Sequence, residues 1–185
     1  MRLPFTVLAA ALCTAWSLSA SAAPKVRFDF DTDAQGWVAQ SGGALVHQSG
    51  DPRHGGYLEI TDITDEDFVV VPPATALGDW SGYLDGTLQF LARNANGDLP
   101  DWPLFGQVTF SNGDQSLMLD IVPDNQPPAD GKWHRYSTLL STAVWGVDLP
   151  AVLANVTNLT IKLEFHAGVT EVVDFDAFKV RRAPR

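Results

Sequence analysis

The chain is almost without cysteine: of 185 residues, only Cys13 carries a thiol. Cys13 lies inside an apolar leader, so the exported chain has no disulfide and no thiolate metal site. A disulfide-stapled scaffold is thereby excluded, and stability has to come from packing, with a bound ion as the one available supplement. Long apolar runs are missing too. Leu3 to Leu18 is the only extended one; it is too short for a comfortable membrane span and no second follows it. Basic residues are scarce, 12 against 22 acidic ones, for a formal charge of −10. A surface of that sign repels phosphates and anionic headgroups, which argues against nucleic acid or anionic lipid as partner.

Catalytic signatures are also absent. There is no H-E-x-x-H and no Walker loop. In Gly78-Asp79-Trp80-Ser81-Gly82 the serine stands one place too late for a nucleophile elbow. His47, His54, His134 and His166 show no ligand spacing. Glu59, Glu66, Glu164 and Glu171 do not recreate the E-x-D-x-x-E strand of jelly-roll glucanases. A glycosidase needs only two suitably placed carboxylates, so a polysaccharide hydrolase stays open as a third reading behind two non-enzymatic ones.

What is present begins with an export signal. Arg2 gives a positive start, the apolar run follows, and Ala20-Ser21-Ala22 supplies the small residues of a cleavage site. Cleavage after Ala22 keeps Pro24 off the scissile bond. Leu12 is not the small residue a lipoprotein signal wants before its cysteine. The expectation is a secreted or periplasmic protein with residues 1–22 as signal and 23–185 as one domain. About 163 residues suffice for one well-buried core.

The mature chain reads as strands and turns. Ile161, Leu163 and Phe165 alternate with Lys162, Glu164 and His166, and Leu117, Leu119 and Ile121 alternate with Ser116, Met118 and Asp120. Similar alternation runs through 87–90 and 107–110, and shorter runs are 26–30, 37–40, 44–48, 57–61, 68–71 and 133–138. Asn112-Gly113-Asp114, between two alternating runs, is the strongest hairpin signal. One helix is expected over Leu149 to Asn155, with Asp148 as N-cap and Pro150 in the first turn. At the two ends stand matching acidic–aromatic segments, Phe28-Asp29-Phe30-Asp31-Thr32-Asp33 and Asp174-Phe175-Asp176-Ala177-Phe178. If they pair, they close an all-β antiparallel sandwich.

The stretch Leu77-Gly78-Asp79-Trp80 with Asp85-Gly86-Thr87-Leu88-Gln89-Phe90 resembles the laminin B (laminin IV type A) family, whose pattern runs Leu-Gly-Asp, an aromatic turn, then Gly-Gly-x-Leu-x-Phe. Asp85 departs from the first of those glycines. Leu153 to Ile161 is similar to the family's short helix feeding a strand, and Phe175-Asp176-Ala177-Phe178 stands where the family has Leu-Asp-Asn-Val. The resemblance implies a galactose-binding-like jelly roll with one short helix, a fold used for glycan or matrix recognition. It also implies a structural calcium between the first loop and the last strand, for which Asp31, Asp33 and Asp176 are the candidate ligands. Alternation alone would equally produce a row of solvated aspartates.

Sugar rings stack their C–H faces on indoles while polar neighbours bond the hydroxyls. Trp102, in the Pro-bounded Leu99-Pro100-Asp101-Trp102-Pro103, is the best loop platform, with Asp101, Arg93 and Asn94 to supply polar contacts. Trp145 is second, while Trp37 and Trp133 read as strand core. The leading expectation is a monomeric, non-catalytic module for extracellular polysaccharide. The alternative is an adhesion domain that binds another surface protein.

Overall fold

The computed structural model describes residue 24 and residues 26–51, 55–169 and 171–184. The export signal expected over 1–22 lies outside them. Ten strands run Val38–Gln40 (β1), Gly43–Asp51 (β2), Gly55–Asp62 (β3), Val69–Val71 (β4), Thr87–Asn94 (β5), Gln107–Ser111 (β6), Ser116–Asp120 (β7), His134–Leu139 (β8), Asn158–Lys162 (β9) and Val172–Arg181 (β10). They form two five-stranded sheets, β2-β3-β10-β5-β8 and β1-β4-β9-β6-β7, with every neighbouring pair antiparallel. This is the expected antiparallel sandwich of jelly-roll type.

Period-two patterning decides which side chains meet between the sheets. Leu58 and Ile60 of β3, Phe90 of β5, Phe110 of β6, Ile161 of β9 and Phe175 of β10 are all fully buried. The hairpin at 112–114 forms as expected: Asn112 Oδ1 accepts from the N–H groups of Asp114 (3.1 Å) and Gln115 (2.7 Å), linking β6 to β7.

Two expectations need correction. The acidic–aromatic segment after residue 26 is not a regular strand. It makes one bridge, Arg27 to Lys179, flanked by Phe28 N–H to Phe178 O (2.8 Å) and Val180 N–H to Val26 O (2.9 Å). The two ends do pair, over three residues, before positive φ at Phe30 and Gln35 turns the chain away. The expected helix shortens to Leu149–Leu153 (α2), with Pro in its first turn and no side-chain cap from Asp148. A second helix, Thr142–Trp145 (α1), precedes it; a single turn carries no periodicity that a sequence reading can detect.

The N-terminal segment is held by an aromatic knot. Trp37 packs against Phe28 (5.4 Å between centroids), Phe30 (5.9 Å), Phe175 (5.2 Å) and Phe178 (4.9 Å). Edge-to-face geometry dominates, as the ring quadrupoles favour. Gly56 lets this segment approach β3, because a Cβ there would overlap the Phe30 carbonyl oxygen. His47 Nε2 bonds the same oxygen at 2.7 Å.

Trp37→Ala is expected to lower stability by about 3–5 kcal/mol, the range for a buried aromatic truncated to a cavity. Urea unfolding should show a lower midpoint at an unchanged m-value.

Candidate site on the outer sheet face

Residues that point away from the core on β3, β10 and β5 line one face of the β2-β3-β10-β5-β8 sheet. The register places Glu59, Asp174 and Arg93 in one row across these three strands. Trp133 immediately precedes β8 and shares the outward parity of Arg135. Arg93 Nε donates to Asp174 Oδ2 at 2.7 Å. The guanidinium lies 5.4 Å from the centre of the Tyr57 ring and 4.8 Å from that of Trp133. The two rings meet edge to face at 5.7 Å and 77°. Beside them Gln48 Nε2 donates to Glu59 Oε1 at 3.0 Å.

The carboxylate neutralises the cation, and the cation holds both rings by its attraction to their faces. Tyr57 and Trp133 are half-buried, as is Arg93, whereas Asp174 is buried beneath them. Burial raises the Tyr57 pKa and the Asp174 charge adds to it, so the phenol keeps its proton at neutral pH and remains a donor. Two fixed aromatic rings amid donors and acceptors suit a ring-shaped ligand rich in hydroxyls.

The loop platform expected at Trp102 is a separate arrangement. Trp102 is 42 % exposed. Its Nε1–H donates to Asp67 Oδ1 (2.8 Å), and Lys162 Nζ bonds Asp67 Oδ2 (2.6 Å) while lying 5.9 Å from the indole centre. Burial would raise the Asp67 pKa, but these bonds from Lys162 and Trp102 outweigh it and lower the value. Asp101 Oδ1 accepts from Ala167 N–H and bonds His166 Nδ1, each at 2.9 Å. The Ala167 bond is the larger cause of its lowered pKa. Open depressions of about 240 and 280 Å³ adjoin the indole.

Of the residues expected to serve Trp102, only Asp101 stays with that loop as a surface group. Arg93 is engaged by Tyr57, Trp133 and Asp174 instead. Asn94 faces inward and is fully buried: its Nδ2 donates to Asp98 O (2.7 Å) and its Oδ1 accepts from Gly97 N–H (2.8 Å), which closes the turn after β5. Trp145 is buried against Phe110 and donates from Nε1 to Leu139 O at 3.0 Å. Trp133, read as core, stands on the outer face.

The calcium ligands do not gather. Asp31 and Asp33 are exposed, and Asp33 Oδ1 accepts from Gln35 N–H at 2.7 Å. Asp176 is buried and bonds the Ala177 N–H. Among the described residues no three His, Cys, Asp or Glu side chains assemble into a group fit to hold a metal.

No family model matches the chain, and no curated protein matches it by sequence. The resemblance to laminin B domains therefore rests on the residues quoted above. Solved structures do match. The xylan-binding domain CBM22-1 of Xyn10C from Paenibacillus barcinonensis is similar at a TM-score of 0.55 and 14 % identity, over 88 % of this chain and 97 % of that one. The family 11 carbohydrate-binding module of cellulase Lic26A-Cel5E from Clostridium thermocellum gives 0.52 and 15 %, over 89 % and 97 %. An exo-β-agarase gives 0.61 and 14 %, over 87 % of this chain but only 25 % of that larger one. What is shared is the fold.

Sequence reading also missed a set of buried acids at the end of the sandwich near Trp102. Asp62, Glu164 and Glu171 are all buried. Glu171 Oε2 accepts from the N–H groups of Phe165 (3.0 Å) and His166 (2.6 Å), while its Oε1 has no partner among the described residues. Burial pushes Glu171 up to about 8, with the Glu164 charge adding to the shift. Burial likewise pushes Glu164 to about 7, with Asp62 and Asp67 contributing.

Both values stand above the ordinary 4.5. The folded state therefore holds more protons than the unfolded one over that window, and stability declines as pH rises. Their share of the stability is complete below about 4.5 and is lost as pH rises toward about 7 and about 8, so the melting temperature is expected to fall across that interval and to level off above it. Glu171→Gln should flatten that slope in thermal melts recorded across the same range.

Proposed function

We propose that this chain is an exported, non-catalytic module that binds extracellular polysaccharide on the outer face of the β2-β3-β10-β5-β8 sheet. The observation that carries this reading is the Tyr57–Arg93–Trp133 stack anchored on Asp174. Sugar rings lie on the exposed parts of the two aromatic faces, and Glu59, Gln48 and Arg93 exchange hydrogen bonds with hydroxyls. A jelly roll shared with a xylan-binding domain supports the reading by analogy of fold. It makes xylan-type polymers the first ligands to try. Trp102, exposed and fixed by Asp67, offers a second aromatic surface to the same kind of ligand.

The reading is non-catalytic by analogy with the carbohydrate-binding modules that share the fold, and the two acids pushed furthest up in pKa do not argue against it. Glu164 and Glu171 both lie under cover, and an acid that protonates a glycosidic oxygen has to reach it. The leader directs the module outside the cytoplasm, where a laminin-B-like matrix role and a polysaccharide ligand share one setting.

Titration calorimetry of the mature protein with soluble xylan should give saturable binding. Tyr57→Ala or Trp133→Ala should each weaken it by about 1–3 kcal/mol, the scale of stacking on one aromatic ring. Trp102→Ala run in parallel should cost less. Absence of heat with xylan and with a mixed-linkage β-glucan would turn the assignment to the protein-adhesion alternative. Reducing-sugar release abolished by one Asp or Glu substitution would turn it to a hydrolase.

A further inference from the structure

Eight lysines and arginines lie among the described residues of this acidic chain. Three have a carboxylate partner: Arg93 with Asp174, Lys132 with Asp130 and Lys162 with Asp67. The other five are Arg27, Arg135, Lys179, Arg181 and Arg182, and among the described residues none of them forms an ion pair.

They are also gathered. Past the register shift between Asp176 and Lys179, β10 pairs with β5 on one side and bridges the N-terminal segment on the other. One row across the sheet then reads Arg27, Lys179, Gln89, Ser137, and the next places Arg181 beside Thr87 and Leu139. Arg135 lies opposite Leu91, two residues from the Lys179 row. A depression of about 320 Å³ opens here, lined by Val26, Arg27, Tyr83, Lys179, Val180 and Arg181. Arg182 stands over the Tyr83 ring at 5.9 Å.

Like charges brought together with no ion-pair partner among the described residues cost free energy that a bound anion relieves. Burial, then Arg181, Arg135 and Arg27 in that order, lower the Lys179 pKa, and Asp176 opposes them. The cationic cluster shares its sheet face with the aromatic stack. Gln89 lies four residues from Arg93 along β5, roughly 13 Å at strand rise.

We infer that the cluster of Arg27, Lys179 and Arg181 is an anionic subsite of the glycan-binding face, which takes the carboxylate of a uronic-acid-substituted polysaccharide whose neutral sugars lie on Tyr57 and Trp133. The inference rests on the proposed polysaccharide reading and names its ligand class as acidic. Arginine suits carboxylate by its planar fork of donors. The acidic remainder of the surface repels polyanions that make no specific contact here.

The test compares glucuronic-acid-substituted xylan with the same polymer after carboxyl reduction, by titration calorimetry at low and high salt. The acidic polymer is expected to bind roughly three- to tenfold more tightly, the scale of a few exposed ion pairs. High salt should remove the advantage, and the double variant Lys179→Gln, Arg181→Gln should erase the difference between the two polymers. Equal affinity for both polymers would overturn the anionic subsite and leave the polysaccharide reading standing. Binding of neither polymer would overturn both. Preference for the acidic polymer that survives Tyr57→Ala with Trp133→Ala, or that polyglutamate competes away, would reduce the cluster to ionic adhesion and overturn the shared face.

Discussion

The sandwich depends on the way its last strand changes partners. Over Val172–Phe175, β10 sits between β3 and β5 in the middle of its sheet. At Asp176 and Ala177 the register shifts, and Ala177 takes a positive φ. Beyond that bulge the N-terminal segment replaces β3 as the neighbour. A bulge adds local twist and re-aims side chains. Here it lets one strand close the fold with both halves of the chain, while Phe175 and Phe178 on either side of it reach the same tryptophan, Trp37.

The division of β10 also organises the outer face. Before the bulge its outward residue is Asp174, buried and matched by Arg93. After it the outward residues are Lys179 and Arg181, beside Arg27. The two halves of one strand therefore present a neutralised aromatic row and a cationic cluster that has no ion-pair partner among the described residues. In the neutralised half a cation bonded to a buried carboxylate lies against two rings, which restricts its conformational freedom. Its neighbour keeps its charge on display.

Much of the fold was legible in the residues themselves. Alternation located β5, β6 and β7, and the Asn-Gly-Asp signal located the β6–β7 hairpin; the alternating run from Ile161 to His166 overlaps β9 only at Ile161 and Lys162, and Lys162 and Glu164, read as its solvent face, are buried. The N-terminal segment misled because alternation describes which side is apolar and not how many hydrogen bonds follow; Phe28 and Phe30 are inward without a ladder beside them. Trp133 misled for the opposite reason. A tryptophan in a strand run reads as core, and only its parity relative to Tyr136, which is buried, carries it to the outer face. Tyr57 gave no signal in isolation, because its ring becomes a site only when Arg93 arrives from a strand 36 residues later. Asn94 and Trp145 were chosen for chemistry that they spend inside, on a turn and on the Leu139 carbonyl.

Patterning along the chain carries the class of structure: period-two alternation buries one face of each strand, and with no cysteine beyond Cys13 packing has to hold it. The chain's charge balance determined that the surface as a whole is acidic. Which acids and bases meet was decided by tertiary structure alone. Asp174 and Arg93 are 81 positions apart, and Arg27 lies beside Lys179 only because the two chain ends pair. Electrostatic interaction depends on distance in space and on burial, and neither can be read along the chain until strand order and register have brought the groups together.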